Sequence, residues 1–462
     1  MQQAEVADTD PTFRGVLRIR EYRWVWLAGA QSGAGDQLAR IAIVLLVYAR
    51  SHSVAISALS YALTFLPALA GGVLLSGLAD RYSRRTVMVS CDLIRLGLLT
   101  VLAFGALSTL GIDVLLVLIV LAGAPFSAAA TAVLPDVVPP RNYVAAVSLS
   151  MITGQLAQLL AFAAGGACVA ALGTRDTLLL DAVTYGVSAV MVRFGLSHRP
   201  APDVPADQPS NGSRPSYLGQ LAGGVRVVYR DRLLRYLLLL AWLPVFLIAP
   251  EAVAPAYARS LGGGATAAGL LMAAMPAGTV LGVWLFGRRG TEASRARMVP
   301  YLAAGTGAAL LASWLSPNLP VSLALWSLSG FFAAYQISVM TRFVRRTPAH
   351  QRGQVVGLGG AGLVAVQGVG SVAAGLVASR WSPAAAVGLA GLAAFLVVAA
   401  LLGPLRRAER EPSAGGSQSG VGAPSGAATE PAATEPAKSG PAGSGSTGTG
   451  PSIMSMPVPV TE

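Results

Sequence analysis

Charge is scarce in this sequence. Of 462 residues only 12% are Asp, Glu, Lys or Arg, while 54% are hydrophobic, and a soluble chain carries about twice that share of charge. A water-facing surface for a chain this long cannot be built from so few ionic groups. Lysine is almost missing: Lys438 stands alone and every other basic residue is arginine. A phosphate-binding loop, GxxxxGK[ST], is therefore impossible, which excludes a P-loop ATPase. Histidine occurs at His52, His198 and His350, all between apolar runs, so there is no HExxH helix and neither a metal nor a cofactor is expected. The two cysteines, Cys91 and Cys168, sit in apolar runs at opposite membrane faces, too far apart for a disulfide. The first residues, MQQAEVADTDPTFRG, hold no short apolar core before a cleavage site, so a signal peptide is not expected.

Long apolar runs are what the chain has instead. Stretches of about 20 residues, the length that crosses a bilayer as a helix, recur along most of it. The reading is an all-α membrane protein of twelve spans, roughly 24–48, 54–78, 86–109, 112–134, 145–173, 176–196, 234–258, 265–287, 298–317, 319–342, 354–379 and 382–404. One connection is long. Residues 197–233 open on a Pro/Asp/Ser-rich stretch and continue into GQLAGGVRVVYRDRLLR, the pattern of an amphipathic helix at a membrane surface. The organisation is thus a segment 1–22, a six-helix bundle 23–196, the loop 197–233, a second bundle 234–404, and a Gly/Ser/Pro-rich tail 405–462 expected to be disordered.

Arginine sets the orientation. Arg14, Arg18, Arg20, Arg81, Arg84, Arg85, Arg141, seven arginines from Arg193 to Arg235, and further ones at 288–297, 345–352 and 406–410 collect on one side; the opposite loops hold Arg50, Arg175, Arg259 and Arg380. The excess marks the cytoplasmic side, which places both termini there. The net charge of +12 follows from this orientation and not from a nucleic-acid surface, since the arginines are dispersed among loops. The two halves also echo each other: YARS closes span 1 at 48–51 and span 7 at 257–260, and the same offset carries Asp80 to Arg289 in the equivalent loop.

The loop between spans 2 and 3 reads SGLADRYSRR, with Gly77 and Asp80 beside Arg81, Arg84 and Arg85. A carboxylate there can pair with those arginines or with a helix N-terminus and gate a cavity; a purely topogenic arginine cluster is the alternative. The segment resembles the loop signature of the major facilitator superfamily, G-x-L-A-D-R-x-G-R-R, and departs from it at Ser76 and Ser83. GDQLARIAIVLLVY (35–48), CDLIR (91–95), VLPDVVPP (133–140) and HQRGQVVGL (350–358) are similar to the drug and siderophore (enterobactin-type) exporter branch. The resemblance covers about residues 20–405 and implies a twelve-helix, two-bundle fold with alternating access. Where exporters of this branch carry an arginine in span 4, and an arginine with a Gly-Pro pair in span 5, this chain has Ala130, Gln158 and Ala161-Phe162. The second copy of the hinge, 287–297, has lost the acid that matches Asp80, with Arg289 in its place.

Charges inside spans point to function, because each costs about 2.5–3.5 kcal/mol at a span centre. Asp36 lies mid-span 1 beside Gln31, Ser32 and Gln37, with Arg40 at i+4 on the same face. It reads as a proton-responsive carboxylate or as half of a permanent pair with Arg40. Glu251 is the one acid within a span of the second half, between Pro250 and Pro255, which should interrupt the helix around it. It reads as a proton-coupling or cation-recognising group, or as an outer-edge residue reached by water. Asp181 is placed near the outer end of span 6 as a weaker candidate. Asp92 and Arg95, at i and i+3 near the inner end of span 3, read as a structural brace. Gln31, Gln155, Gln158, Gln336, Gln367 and Trp242 are candidate substrate contacts, and Trp284, Trp314, Trp326 and Tyr335 could extend Trp242 into an aromatic wall.

The expected function is a monomeric, non-enzymatic secondary transporter of the cytoplasmic membrane, exporting small lipophilic compounds in exchange for protons. Its partners are membrane lipid, a small-molecule substrate and protons, with no nucleic acid. A lipid or lysophospholipid flippase of the same fold, and a non-transporting membrane sensor or scaffold, are the alternatives.

Overall fold

The computed structural model describes residues 13–75, 81–200, 217–288, 292–315, 318–348 and 351–410. Among these, helix is the only extended secondary structure. A short helix, Phe13–Arg18, leads into span 1, Arg20–Ser51; span 2 follows as Val54–Ala62 and Leu66–Leu74, then span 3, Arg84–Phe104, and span 4, Thr109–Val137. Spans 5 and 6 form one 53-residue run, Tyr143–Gly195, in which Gly173 adopts φ 82. That left-handed value suits glycine, and it divides the run into two segments, each long enough to cross a bilayer. With that division, the eleven helices able to span a membrane supply the twelve spans read from the sequence.

In the second half, the helix Tyr217–Arg230 precedes span 7, and the remaining spans are Ala265–Arg288, Glu292–Ala312, Leu319–Phe332 with Tyr335–Arg346, Arg352–Arg380 and Pro383–Arg410. Span 7 breaks differently from expectation. It runs as Arg232–Ala241, Pro244–Leu247 and Ala249–Ser260, with Pro250 in the first turn of the last piece and Pro255 inside it. Proline fits a first helical turn because its missing N–H has no intrahelical acceptor there. The interruptions therefore fall at Trp242–Leu243, ahead of Pro244, and at Ile248, ahead of Pro250 and three residues before Glu251, while the helix continues through Pro255. Polar side chains at helix starts satisfy free amides: Ser53 accepts from Ile56, Ser108 from Gly111, Asp231 from Leu233 and Leu234, and Asn318 from Val321. The YARS echo is structural as well, since span 1 is closed by His52 at φ 48 and span 7 is followed by Gly262 at φ 76.

The core is asymmetric from end to end. At the arginine-poor end both bundles share one apolar cluster, in which Ile41, Val44, Tyr61 and Phe162 meet Ala252, Tyr257, Leu271 and Trp326. At the arginine-rich end each bundle has its own: Tyr22, Met88, Phe126 and Val192 in the first, and Leu237, Val299, Tyr335 and Phe343 in the second. Span 11 presents one face to this seam. Near the arginine-poor end, Gly375 lies against Ala58 and Gly368 against Leu66 of span 2. On the same helical stripe toward the arginine-rich end, Gly360, Gly357 and Gly353 have nothing within 4 Å of where a Cβ would stand. The seam is closed at one end and open at the other.

Closure depends on small residues. Gly166 of span 5 and Gly269 of span 8 meet backbone to backbone, a Cβ on either falling 2.7 Å from the other's Cα. Gly269→Leu is expected to lower the midpoint of thermal unfolding in detergent, with an overpacking cost of about 1–3 kcal/mol. Gly357→Leu, on the open stretch, should leave the midpoint within about 0.5 kcal/mol of the parent or raise it.

Candidate functional site

The first cluster is built inside the N-terminal bundle, where spans 1, 3 and 6 pack together. The antiparallel register of spans 1 and 6 is visible in its bonds: Ser188 donates to the Ala28 carbonyl at 3.5 Å, Gln31 to the Thr184 carbonyl at 3.4 Å, and Gly35 abuts Asp181 and Thr184. Span 3 lays Arg95 across this interface. Its Nη2 donates to Asp36 Oδ1, its Nη1 donates to Ser32 Oγ at 3.2 Å, and its guanidinium stacks 4.2 Å from the Tyr185 ring centroid. The Tyr185 hydroxyl donates to the same Asp36 oxygen at 2.5 Å. Arg95 is 3% exposed, whereas the Asp36 side chain is 40% exposed. One carboxylate thus joins a buried guanidinium to an accessible surface of span 1.

Three expectations are corrected here. Asp36 pairs with Arg95 and not with Arg40, because four residues advance a helix by about 40° beyond a full turn and carry Arg40 round to other neighbours. Asp181 is fully buried at the level of Gly35, and not near an outer face. Asp92 and Arg95 form an i, i+3 ion pair at 3.9 Å, yet Arg95's closer partner is Asp36, so the pair is part of the charge cluster and not an isolated brace.

The second cluster closes the seam. Glu251 is 8% exposed and its Oε2 accepts a hydrogen bond from the Tyr61 hydroxyl, span 2 to span 7. Arg40 stands over the rings of Tyr61 and Phe65, at 5.8 and 5.1 Å from their centroids, and acts electrostatically on Glu251. The water-reached position considered for Glu251 is therefore not found: the acid is enclosed between the bundles with a phenol as its donor. Span 1 connects the clusters, Asp36 looking back into its own bundle and Arg40, one turn on, toward the other.

Other candidates are placed as follows. Gly77 and Asp80 lie outside the described residues. Arg81 is exposed and Arg85 partly so, while Arg84 donates to the Ala132 carbonyl at 2.8 Å and pairs with Asp136, tying span 3 to the end of span 4. Gln31 is spent on the backbone of span 6. Trp242 donates to the Gly359 carbonyl at 3.0 Å and packs on Gly362, which makes it a span 7–span 11 packing residue. Gln158, Gln336 and Gln367 are partly buried and Gln155 is exposed. The aromatic wall does not form: Trp326 is wholly buried against Tyr257, whereas Trp284 and Trp314 are exposed. Sequence reasoning missed Tyr61, Tyr185 and Asp136, and also Asp113, which accepts from Ser60 at 2.6 Å. Asp136 and Asp113 could have been found as charges at span ends; the tyrosines gave no signal inside apolar runs.

Two six-span bundles, a seam closed at one end and buried charges flanking it define a multi-pass membrane transporter, not an enzyme. The Major Facilitator Superfamily profile matches residues 25–250 and 240–444, and the chain belongs to that family. It is 25% identical over 418 residues to the enterobactin exporter EntS of Shigella boydii serotype 4, covering 85% of this chain and 92% of that one. To the enterobactin exporter EntS of Citrobacter koseri it is 26% identical over 431 residues, covering 87% and 95%. Among solved structures, a bacterial homolog of the human lysosomal transporter Spinster, inward-facing and unoccupied, superposes with TM-score 0.59 at 16% identity, covering 84% and 95%. A POT family transporter in complex with a thioalcohol-conjugated peptide gives TM-score 0.66 at 10% identity, covering 84% and 96%.

Proposed function

We propose that the chain exports small lipophilic compounds across the cytoplasmic membrane by alternating access, in exchange for protons. The observation that carries this reading is the two-ended behaviour of span 11, packed on span 2 at one end and facing open space at the other. With the arginine-rich end in the cytoplasm, the conformation described here faces inward. Export is favoured by the relatives named enterobactin exporters. Proton coupling is favoured by Asp36, inside the first bundle, and Glu251, at the seam, two carboxylates with a counter-charge at hand for each, Arg95 and Arg40. Their roles differ: Asp36 exchanges its proton at the open side, and Glu251 locks the closed side through Tyr61. The Arg81–Arg85 segment gates the cytoplasmic side, with Asp80 its acidic member.

One proton crossing 100 mV supplies about 2.3 kcal/mol, enough for roughly a fiftyfold gradient of a neutral solute. The test uses inverted membrane vesicles and ethidium as the probe. An imposed pH gradient should drive its accumulation, a protonophore should abolish it, and Asp36→Asn and Glu251→Gln should lose uphill transport. Accumulation that is indifferent to the gradient and to both substitutions would contradict the reading.

A further inference from the structure

Around Arg95 the N-terminal bundle gathers more acid than it can balance. Against the guanidinium stand Asp36 from span 1, Asp92 from span 3 and the Tyr185 ring from span 6; Cys91 of span 3 and Asp181 of span 6 lie within its electrostatic reach, and span 4 brings Gly123 up to it. Arg40, the next charge along span 1, is turned toward Tyr61 and Phe65. Three carboxyls therefore share one cation. Arg95 is committed to Asp36, and Asp92 stands 3.9 Å away on its other nitrogen, an ion pair in which neither Asp92 oxygen receives a hydrogen bond.

Asp181 receives no such partner. It is 0% exposed; its Oδ1 accepts one bond from the neutral Thr184 hydroxyl at 3.1 Å, and its Oδ2 is enclosed without a hydrogen bond. Gly35 seals it from span 1 so closely that a Cβ there would collide with both Asp181 and Thr184. An ionised carboxylate in such a place costs several kcal/mol, and a neutral carboxyl does not. Among the described residues no group of three or more His, Cys, Asp or Glu could hold a metal ion in its stead.

We infer that Asp181 is a second proton-binding carboxyl of the carrier, protonated in this conformation and stored behind span 1 against Gly35, the residue next to Asp36. The inference rests on the proton-exchange reading for its transport role, but not for its existence. Its proton leaves when Arg95 turns from Asp36 to Asp181: the Asp181 O–H bond breaks, the guanidinium replaces the proton as compensating charge, and the proton passes to Asp36, whose 40% exposed side chain hands it on to water. Reorientation of one arginine thereby swaps which of two acids is neutral.

Infrared difference spectroscopy on the purified full chain tests the seat without any substrate. At neutral pH the parent should show the C=O stretch of a protonated carboxyl that disappears in Asp181→Asn, persists with a shift in Asp181→Glu, and survives in Asp36→Asn. A band unaffected by Asp181→Asn would overturn the inference. In vesicles, Asp181→Asn should still let ethidium equilibrate downhill but lose accumulation driven by a pH gradient, with partial recovery in Asp181→Glu. Full gradient-driven accumulation by Asp181→Asn would reduce the residue to a permanent neutral hydrogen-bonding group and overturn its transport role. If the parent itself ignores the gradient, the proton-exchange reading fails while the infrared result still decides the seat.

Discussion

Arg95→Ala is expected to prevent folded protein from accumulating in the membrane. The guanidinium is the shared cation of Asp36, Asp92 and Asp181, and it also holds Ser32 and the Tyr185 ring. Removing one member of a buried pair costs about 3–5 kcal/mol because the other charge is left without compensation. Total stabilities are only about 5–15 kcal/mol, so such a loss decides folding. The cost is divided between the wholly buried Asp92 and the partly exposed Asp36, both left without their cation, which gives the prediction its signature. Adding Asp36→Asn to Arg95→Ala should recover part of the loss, with a coupling of about 1 kcal/mol or more, read as the thermal midpoint and the monodisperse fraction in detergent. Strict additivity would mean that the ion pair contributes nothing.

Tyr61→Phe is expected to leave the fold intact and move the conformational equilibrium instead. The phenol bonds Glu251 only while spans 2 and 7 are together, so its loss penalises the closed arrangement alone. An unmet buried acceptor costs about 1–3 kcal/mol, which corresponds to a shift of about 5- to 150-fold between the two arrangements. Spin labels on cysteines replacing His52 and Arg259, exposed at the ends of spans 1 and 7, with Cys91 and Cys168 replaced by serine, should report a larger long-distance population in Tyr61→Phe. Glu251→Gln should shift the equilibrium the other way, since a neutral amide is enclosed between the bundles at less cost than a carboxylate and its oxygen still accepts from Tyr61. Acid should act on the parent in the same direction as Glu251→Gln, because protonating Glu251 removes the cost of enclosing its charge.

Much of the architecture was legible because bilayer thickness is a ruler: an apolar run of about 20 residues has one use. The division of spans 5 and 6, expected after residue 173, falls on Gly173, and the YARS repeat marks equivalent helix ends. The partners inside the membrane were legible only as residue types. Asp36 and Arg40 look paired because spacing along a helix is local information. Which of them faces Arg95 is decided by the rotation of span 1 against spans 3 and 6. The depth of Asp181 was misjudged from its distance to a loop; Gly35 admits span 6 so closely that the acid is sealed inside. Tyr61 and Tyr185 were missed because a phenol in an apolar run resembles an ordinary buried aromatic until its hydroxyl partner on another helix is known.

The central claim is that the two bundles close at one end as they open at the other, and that protons on the buried acids bias the exchange. It is tested most directly by measuring both ends of one protein as pH falls. Beside the His52/Arg259 label pair, a second pair at Tyr82 and Met298, exposed on opposite bundles toward the arginine-rich end, completes the experiment. Shortening of the first distance together with lengthening of the second, both lost in Glu251→Gln, is the predicted result. Two distances that stay fixed across the titration, or that lengthen together, would contradict the account.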